Sequence, residues 1–268
     1  MIAVSLARLL TLLLMTACLF FAGCVTEETD QSTGQIVPPT DTKADEKAAL
    51  SDYITLANGY LKDGKRASAL TAINKGLKID DESPELLNIL AVYYESDGES
   101  ELAENEYKKA IRYNRDDTAS YLNYGAFLYG HKRYDEACNM FAKATEDVMY
   151  AKRDAAFLNY GVCLKRQGKM KEAEEAFRRS YVNDARNPLV VLELADLKFE
   201  TGDFEQSVQL YNKFLSMSKQ NAKSLWLGIR LMNVMGQEDK QASYALFLKN
   251  EFPASPQYSE YKVWSESK

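Results

Sequence analysis

The amino-acid sequence predicts an all-α fold: a solenoid of about six helix-turn-helix repeats, wound as a right-handed superhelix, behind a leader and a polar tether. Three observations carry this expectation. The chain resembles itself at a period of 34 residues. Each of five repeats places small residues at two fixed positions, twelve apart. Glycine recurs where the first helix of a repeat must turn into the second.

The first element is residues 1–23. Arg8 is the only charge before Glu27, and Leu9 to Gly23 is uncharged and mostly apolar. A membrane-spanning helix needs about 20 apolar residues. This shorter run, with small residues at its end, fits a cleavable export signal. It closes on Phe21-Ala22-Gly23-Cys24, which resembles the lipobox of bacterial lipoproteins, with Phe where Leu is usual. Cys24 is therefore the expected lipid-bearing residue, acylated (palmitate among the chains) and first in the mature protein. Cys18 is the rival. Cleavage there would leave the apolar stub LFFAGCV in water, so Cys24 is preferred over it. An uncleaved anchor, or a plain signal with an incidental cysteine, is the remaining alternative. Stable anchoring by acyl groups takes more than one chain. Val25, rather than Asp, follows the cysteine, and by resemblance to sorted lipoproteins this favours the outer membrane, with the body on its periplasmic face.

The second element, 24–45, is polar and carries Pro38-Pro39. It has too little apolar surface for a core and reads as a flexible tether, able to span roughly 25 Å.

The third element is the repeat domain, 46–264. Repeats begin near Leu50, Pro84, Thr118, Asp154 and Pro188. The eighth position reads Ala57, Ala91, Gly125, Gly161 and Ala195. The twentieth reads Ala69, Ala103, Ala137, Ala173 and Ser207. Two antiparallel helices approach closely only where both side chains are tiny, with large residues filling the space around them. Those recur as Leu56, Leu90, Tyr124, Tyr160 and Leu194, and as Ile73, Tyr107, Phe141, Phe177 and Tyr211. Gly64, Gly98, Gly168 and Gly202 fall where the first helix ends, and Pro84 and Pro188 open new repeats. This is the tetratricopeptide pattern. The step from the third repeat to the fourth is 36 residues, which predicts a longer loop within 145–154. A degenerate sixth unit follows, around Trp226 to Asn250, and the tail offers a capping helix.

Composition narrows the function. The chain has 46% apolar and 27% charged residues and a net charge of −6. Ordinary globular material of this sign argues against nucleic acid as partner. His131, the one histidine, lies in a Gly-His-Lys-Arg turn with no partner offered by motif. The acidic runs Glu99-Ser100-Glu101 and Glu172 to Glu175 read as solvated helix faces. No phosphate loop, dinucleotide fingerprint or Cys-x-x-Cys is present, so no enzyme activity, cofactor, metal or small-molecule substrate is expected. Cys138 and Cys163 fall on helices that should be neighbours. An exported protein can hold them as a disulfide or as two buried thiols, and both readings stay open. The concave face should be lined by the first helices, with Ile54, Asn58, Leu61, Asn88, Val92, Glu95, Leu122, Ala126, Tyr129, Leu158, Val162 and Lys165. That mixed, rather apolar groove suits an amphipathic helix or an extended peptide.

Two stretches go beyond a generic repeat. Residues 122–163 contain LNYGAFLYG and the insertion at Tyr150; residues 221–261 contain LGIR and close on FPAS. Both resemble the PilF/PilW family of type IV pilus biogenesis lipoproteins. The resemblance implies an outer-membrane pilotin that binds the pilus secretin subunit, helps it reach the membrane and promotes its multimerisation. It places the partner surface in the N-terminal repeats, around Ile54, Leu61 and Val92. A scaffold lipoprotein for another envelope machine, in outer-membrane protein assembly or cell-wall hydrolase control, is the alternative.

Overall fold

The computed structural model describes residues 42–267; Cys18, Cys24 and the expected signal and tether up to 41 lie outside that range. By compactness the chain divides at Ser51/Asp52. Residues 42–51 are described as the start of the first helix, and residues from Asp52 onward carry the repeats.

The described residues form thirteen helices and no strand: α1 (Thr42–Lys62), α2 (Arg66–Leu77), α3 (Pro84–Ser96), α4 (Ser100–Tyr113), α5 (Thr118–Gly130), α6 (Tyr134–Ala144), α7 (Arg153–Arg166), α8 (Met170–Asn183), α9 (Pro188–Glu200), α10 (Phe204–Met217), α11 (Ala222–Val234), α12 (Glu238–Glu251) and α13 (Pro256–Glu266). The odd-numbered helices up to α11 open the six repeats and are called A; the even-numbered close them and are called B. Helix α1 starts at Thr42, inside the segment expected to be tether, because TKADEKAAL is rich in good helix formers.

The ten small residues are all buried, eight with no measurable exposure. Ser207 shows how directly the two positions meet, since its Oγ donates to Ala195 O at 2.7 Å. A Cβ built on Gly161 would stand 2.5 Å from Phe177 Cε1, and one on Gly125 would stand 2.7 Å from the Phe141 ring. The large B-helix residue thus lies against the missing side chain of its A helix. A third small position went unread in the sequence. Gly76, Ala110, Ala144 and Ser180 are buried at the twenty-seventh position, where a Cβ on Gly76 would meet Leu86 Cδ1 of the next repeat at 2.5 Å. Phe214 and Leu248 occupy this place in the last two repeats, and so mask the pattern.

Each A-to-B turn uses one left-handed residue. Gly98 has φ 81°, and the turn closes by Glu99 N donating to Tyr94 O at 3.0 Å. In the third repeat the same place is held by Lys132 at φ 62°, with Arg133 N donating to Leu128 O at 2.9 Å. Four of the six A helices begin on side-chain caps: Ser83 Oγ, Asp117 Oδ2, Asn187 Oδ1 and Asn221 Oδ1 each accept a backbone N–H of the first turn, whereas α7 starts after Lys152 without one.

The loop between the third and fourth repeats, residues 145–152, is longer than the four-residue joints 114–117, 184–187 and 218–221. A disulfide joins Cys138 of α6 to Cys163 of α7 across it, with Cα atoms 5.5 Å apart. Both cysteines are buried.

Helix α13 repeats the entry of an A helix. Ser255 Oγ accepts from Tyr258 N at 3.1 Å, and Pro256 follows, as Pro84 follows Ser83. It is built like the A helix of a further repeat, and no B helix follows it among the described residues. Its aromatic side packs on the sixth repeat, with Trp226 edge-on to Trp264 and Tyr261 at 5.6 and 6.2 Å. At the positions where a B helix would lie it carries Ser259, Lys262 and the 70% exposed Val263.

Candidate partner-binding surface

The surface is built from A helices. Their fifth, ninth and twelfth positions were expected to line one groove, and the structure divides those residues. Asn88, Leu122 and Leu158, all at the fifth position, are buried at 7, 8 and 9% exposure. They fill the seam between adjacent A helices rather than an open groove. Asn88 Oδ1 accepts from Asn123 Nδ2 of the next A helix at 3.3 Å, and Leu122 and Leu158 belong to the cores. The correction has a steric cause: neighbouring A helices pack side by side, and the fifth position lies at their contact.

The other residues keep an accessible side. Ile54 and Leu61 are half-buried and Asn58 between them is exposed, its Nδ2 donating to Ile54 O at 3.1 Å. Spaced by four and three residues, they form one stripe along α1. Val92 and Tyr129 are half-buried over the same cluster as Leu122. Glu95 and Ala126 are exposed, and Val162 and Lys165 are half-buried.

A second region was not read from the sequence as a unit. A cleft of about 390 Å³ lies among the A helices of repeats three to six and α13, with Tyr129, Val162, Lys165, Trp226 and Gln257 in its lining. Asp196 stands at its base, 5% exposed. It accepts from Lys165 Nζ and from Arg230 Nη2 at 2.6 Å, with Lys223 Nζ at 3.8 Å. Lys165 also pairs with Glu200 at 3.0 Å, and Lys223 with Glu193 at 2.5 Å. Burial alone raises the Asp196 pKa, but Lys165, Lys223 and Arg230 outweigh it and hold the carboxyl below its ordinary value. Burial likewise works against the charge on Lys165, and Asp196, Glu200 and Glu193 reverse the balance and raise its pKa. The Arg230 guanidinium lies over Phe199 and Trp226 at 4.7 and 5.1 Å. Three A helices are thereby tied through one carboxylate. The available signal was Asp196 itself, a charge which, with Glu193, interrupts the otherwise apolar run Val190–Leu197.

His131 lies in the exposed turn, its ring nitrogens 2.8 Å from Phe127 O and 3.1 Å from Ser100 Oγ. Glu99, Glu101, Glu172 and Glu175 are exposed, and Glu174 pairs with Lys198 at 2.9 Å. Among the described residues, no group of His, Cys, Asp and Glu could hold a metal ion, and no helix is long and apolar enough to cross a membrane. What the arrangement offers is a preorganised surface for another polypeptide.

Comparison with known proteins agrees with this architecture. The tetratricopeptide repeat family profile matches residues 90–147, 128–188 and 190–221. Type IV pilus assembly protein PilF of Pseudomonas aeruginosa is 37% identical over 241 residues, 90% of this chain and 93% of that protein. An uncharacterised protein of Haemophilus influenzae is 28% identical over 150 residues, 56% of this chain and 77% of its own length. The solved structure of Pseudomonas aeruginosa PilF superimposes with a TM-score of 0.74 at 36% identity, covering 82% of this chain and 99% of that one. PilW, described as a widely conserved type IV pilus biogenesis factor, superimposes with a TM-score of 0.68 at 26% identity, covering 79% of this chain and 97% of its own. An all-α repeat solenoid with this likeness along nine-tenths of its length belongs to the PilF/PilW family of tetratricopeptide-repeat proteins of type IV pilus biogenesis.

Proposed function

We propose that this protein is an outer-membrane pilotin: a lipid-anchored chaperone that binds the pilus secretin subunit and promotes its localisation and multimerisation. The observation that carries the reading is the 37% identity to a pilus assembly protein across 90% of the chain. The lipobox at Cys24 supports the anchor, since acyl chains on that sulfur would hold the body at the periplasmic face of the outer membrane. The half-buried stripe of Ile54 and Leu61, with Val92, supports an apolar partner segment. The mechanism is non-covalent. The lipid supplies location, the residues before α1 supply reach, and the stacked A helices supply a rigid face. Tethering raises the effective concentration of the captured secretin subunit at the membrane.

Affinity capture from envelope extract tests the partner. The secretin subunit should be recovered, and the double variant Leu61→Asp, Val92→Asp should recover at least about tenfold less while its helical circular dichroism is unchanged. Recovery of cell-wall hydrolases or outer-membrane assembly factors without secretin would point instead to another envelope machine. Fractionation of Cys24→Ala tests the anchor, and outer-membrane recovery equal to the parent protein would refute it.

A further inference from the structure

Stacked repeats point their B helices the same way, so charges suited to one helix end line up across the molecule. The twenty-sixth position of repeats one to five reads Lys75, Lys109, Lys143, Arg179 and Lys213. This is one cation per repeat in a chain of net charge −6. Near these helix ends stand Lys78, Arg112, Arg115, Lys152, Arg186 and Lys219, all exposed. Lys213 Nζ lies 4.6 Å above the Tyr181 ring, which shows that the ends of α8 and α10 adjoin. Cations at helix C-termini are favourable in themselves, and that accounts for the row. It does not account for the apolar side chains beside it. Tyr113 is 41% exposed, Val148 67%, Met149 87% and Val182 83%. Tyr113 and Val182 lie in the last turns of the B helices of repeats two and four, and Val148 and Met149 in the long 145–152 loop after that of repeat three, all at the same edge.

Most acidic side chains of this edge are engaged locally, while Asp116 is exposed beside Arg115. Asp117 caps Ser120 N at 3.2 Å, Asp147 accepts from Thr118 Oγ1 at 2.9 Å, and Asp184 accepts from Arg186 N at 3.0 Å. Glu106 and Glu146 pair with Lys109 and Lys143. Arg179 pairs with Glu175 at 3.0 Å; pairs as exposed as this one and that of Lys143 and Glu146 contribute little, so those cations stay available to a stronger anionic surface.

Exposed aliphatic and aromatic side chains beside a line of Lys and Arg have the chemistry of an interfacial membrane contact. We propose that the edge formed by the C-terminal ends of the B helices in repeats two to five rests on an anionic phospholipid surface. The cations meet headgroup phosphates, and Val148, Met149 and Val182 enter the headgroup–acyl boundary. The body then lies along the membrane surface. The inference concerns the posture of the repeat domain and depends on neither the secretin nor the lipobox.

Hydrogen–deuterium exchange of the full chain, mixed with vesicles of phosphatidylglycerol or of phosphatidylcholine, tests it. Amides of 145–152 and 183–187 should exchange at least about tenfold more slowly on phosphatidylglycerol alone. The triple variant Lys109→Glu, Arg179→Glu, Lys213→Glu should lose that protection while its other helices exchange as in the parent. Equal exchange on both vesicles, protection that survives the triple variant, or a chain that stays in the supernatant of phosphatidylglycerol vesicles overturns the proposal. Secretin capture measured on the same triple variant separates this contact from partner binding.

Discussion

At the scale of single residues, the repeat fold rests on a few positions that tolerate one kind of side chain. Lys132 is out of keeping with them, since it takes the left-handed turn conformation that glycine takes in the other A-to-B turns. An L-residue there is strained by about 1 kcal/mol. Lys132→Gly should therefore raise stability by about that amount in urea unfolding, and a loss would show that the lysine side chain contributes more than its backbone costs. Glu104 shows the same economy in its charge. Arg133 Nη1 donates to it at 2.7 Å, Tyr124 Oη at 2.8 Å, and Lys108 lies at 2.8 Å. Arg133 above all, against the opposing effect of burial and with help from Lys108 and Tyr124, lowers its pKa from 4.5 to about 2. A carboxylate held below its unfolded value stabilises the fold above about pH 4.5 and loses that contribution as pH falls toward 2. Melting temperature measured from pH 6 down to 2 should fall less steeply for Glu104→Gln than for the parent.

At the scale of elements, the joint between the third and fourth repeats is the exception. Elsewhere four residues carry the chain from B to A, or six at 78–83, and 145–152 takes eight. A longer joint constrains two helices less, and the Cys138–Cys163 bridge restores the constraint across the same gap. Its loop has a sequence separation of 25, for which chain entropy gives about 3 kcal/mol. Cys138→Ser, Cys163→Ser, or reduction of the parent, should lower unfolding free energy by about that much. The parent without reductant should show no free thiol at either site, even when denatured. Asp196 ties the later elements in a different way: three A helices converge on one buried carboxylate, so repeats four to six should respond together to its loss.

At the scale of the whole molecule, each repeat contacts only its neighbours, and the last must be closed. Helix α13 closes it with Tyr258, Tyr261 and Trp264 against Trp226, and turns Ser259 and Lys262 toward the side a further B helix would cover. Ending the chain after Phe252 would bare that aromatic face. We expect a loss of at least about 2 kcal/mol and concentration-dependent self-association in sedimentation; a monomer of unchanged stability would show that α13 is dispensable.

The sequence by itself determined the repeat count, the helix order, the crossing residues from Ala57 to Ser207, the long third joint and the closing helix. Each of these is local or periodic: a small residue every 34 positions, a glycine or proline at a turn, a cap before a helix. It also carried the family, through stretches such as LNYGAFLYG and LGIR. Only the tertiary structure decided which residues of the expected groove are reachable. Asn88, Leu122 and Leu158 share a register with open positions, and their burial depends on how closely successive A helices approach. Tertiary structure likewise joined Cys138 to Cys163, between two readings that sequence left open, and gathered Lys165, Asp196, Lys223 and Arg230 from three repeats into one network. Periodicity fixes a residue's place within its repeat; what covers it, or pairs with it, is fixed by the distance to the next.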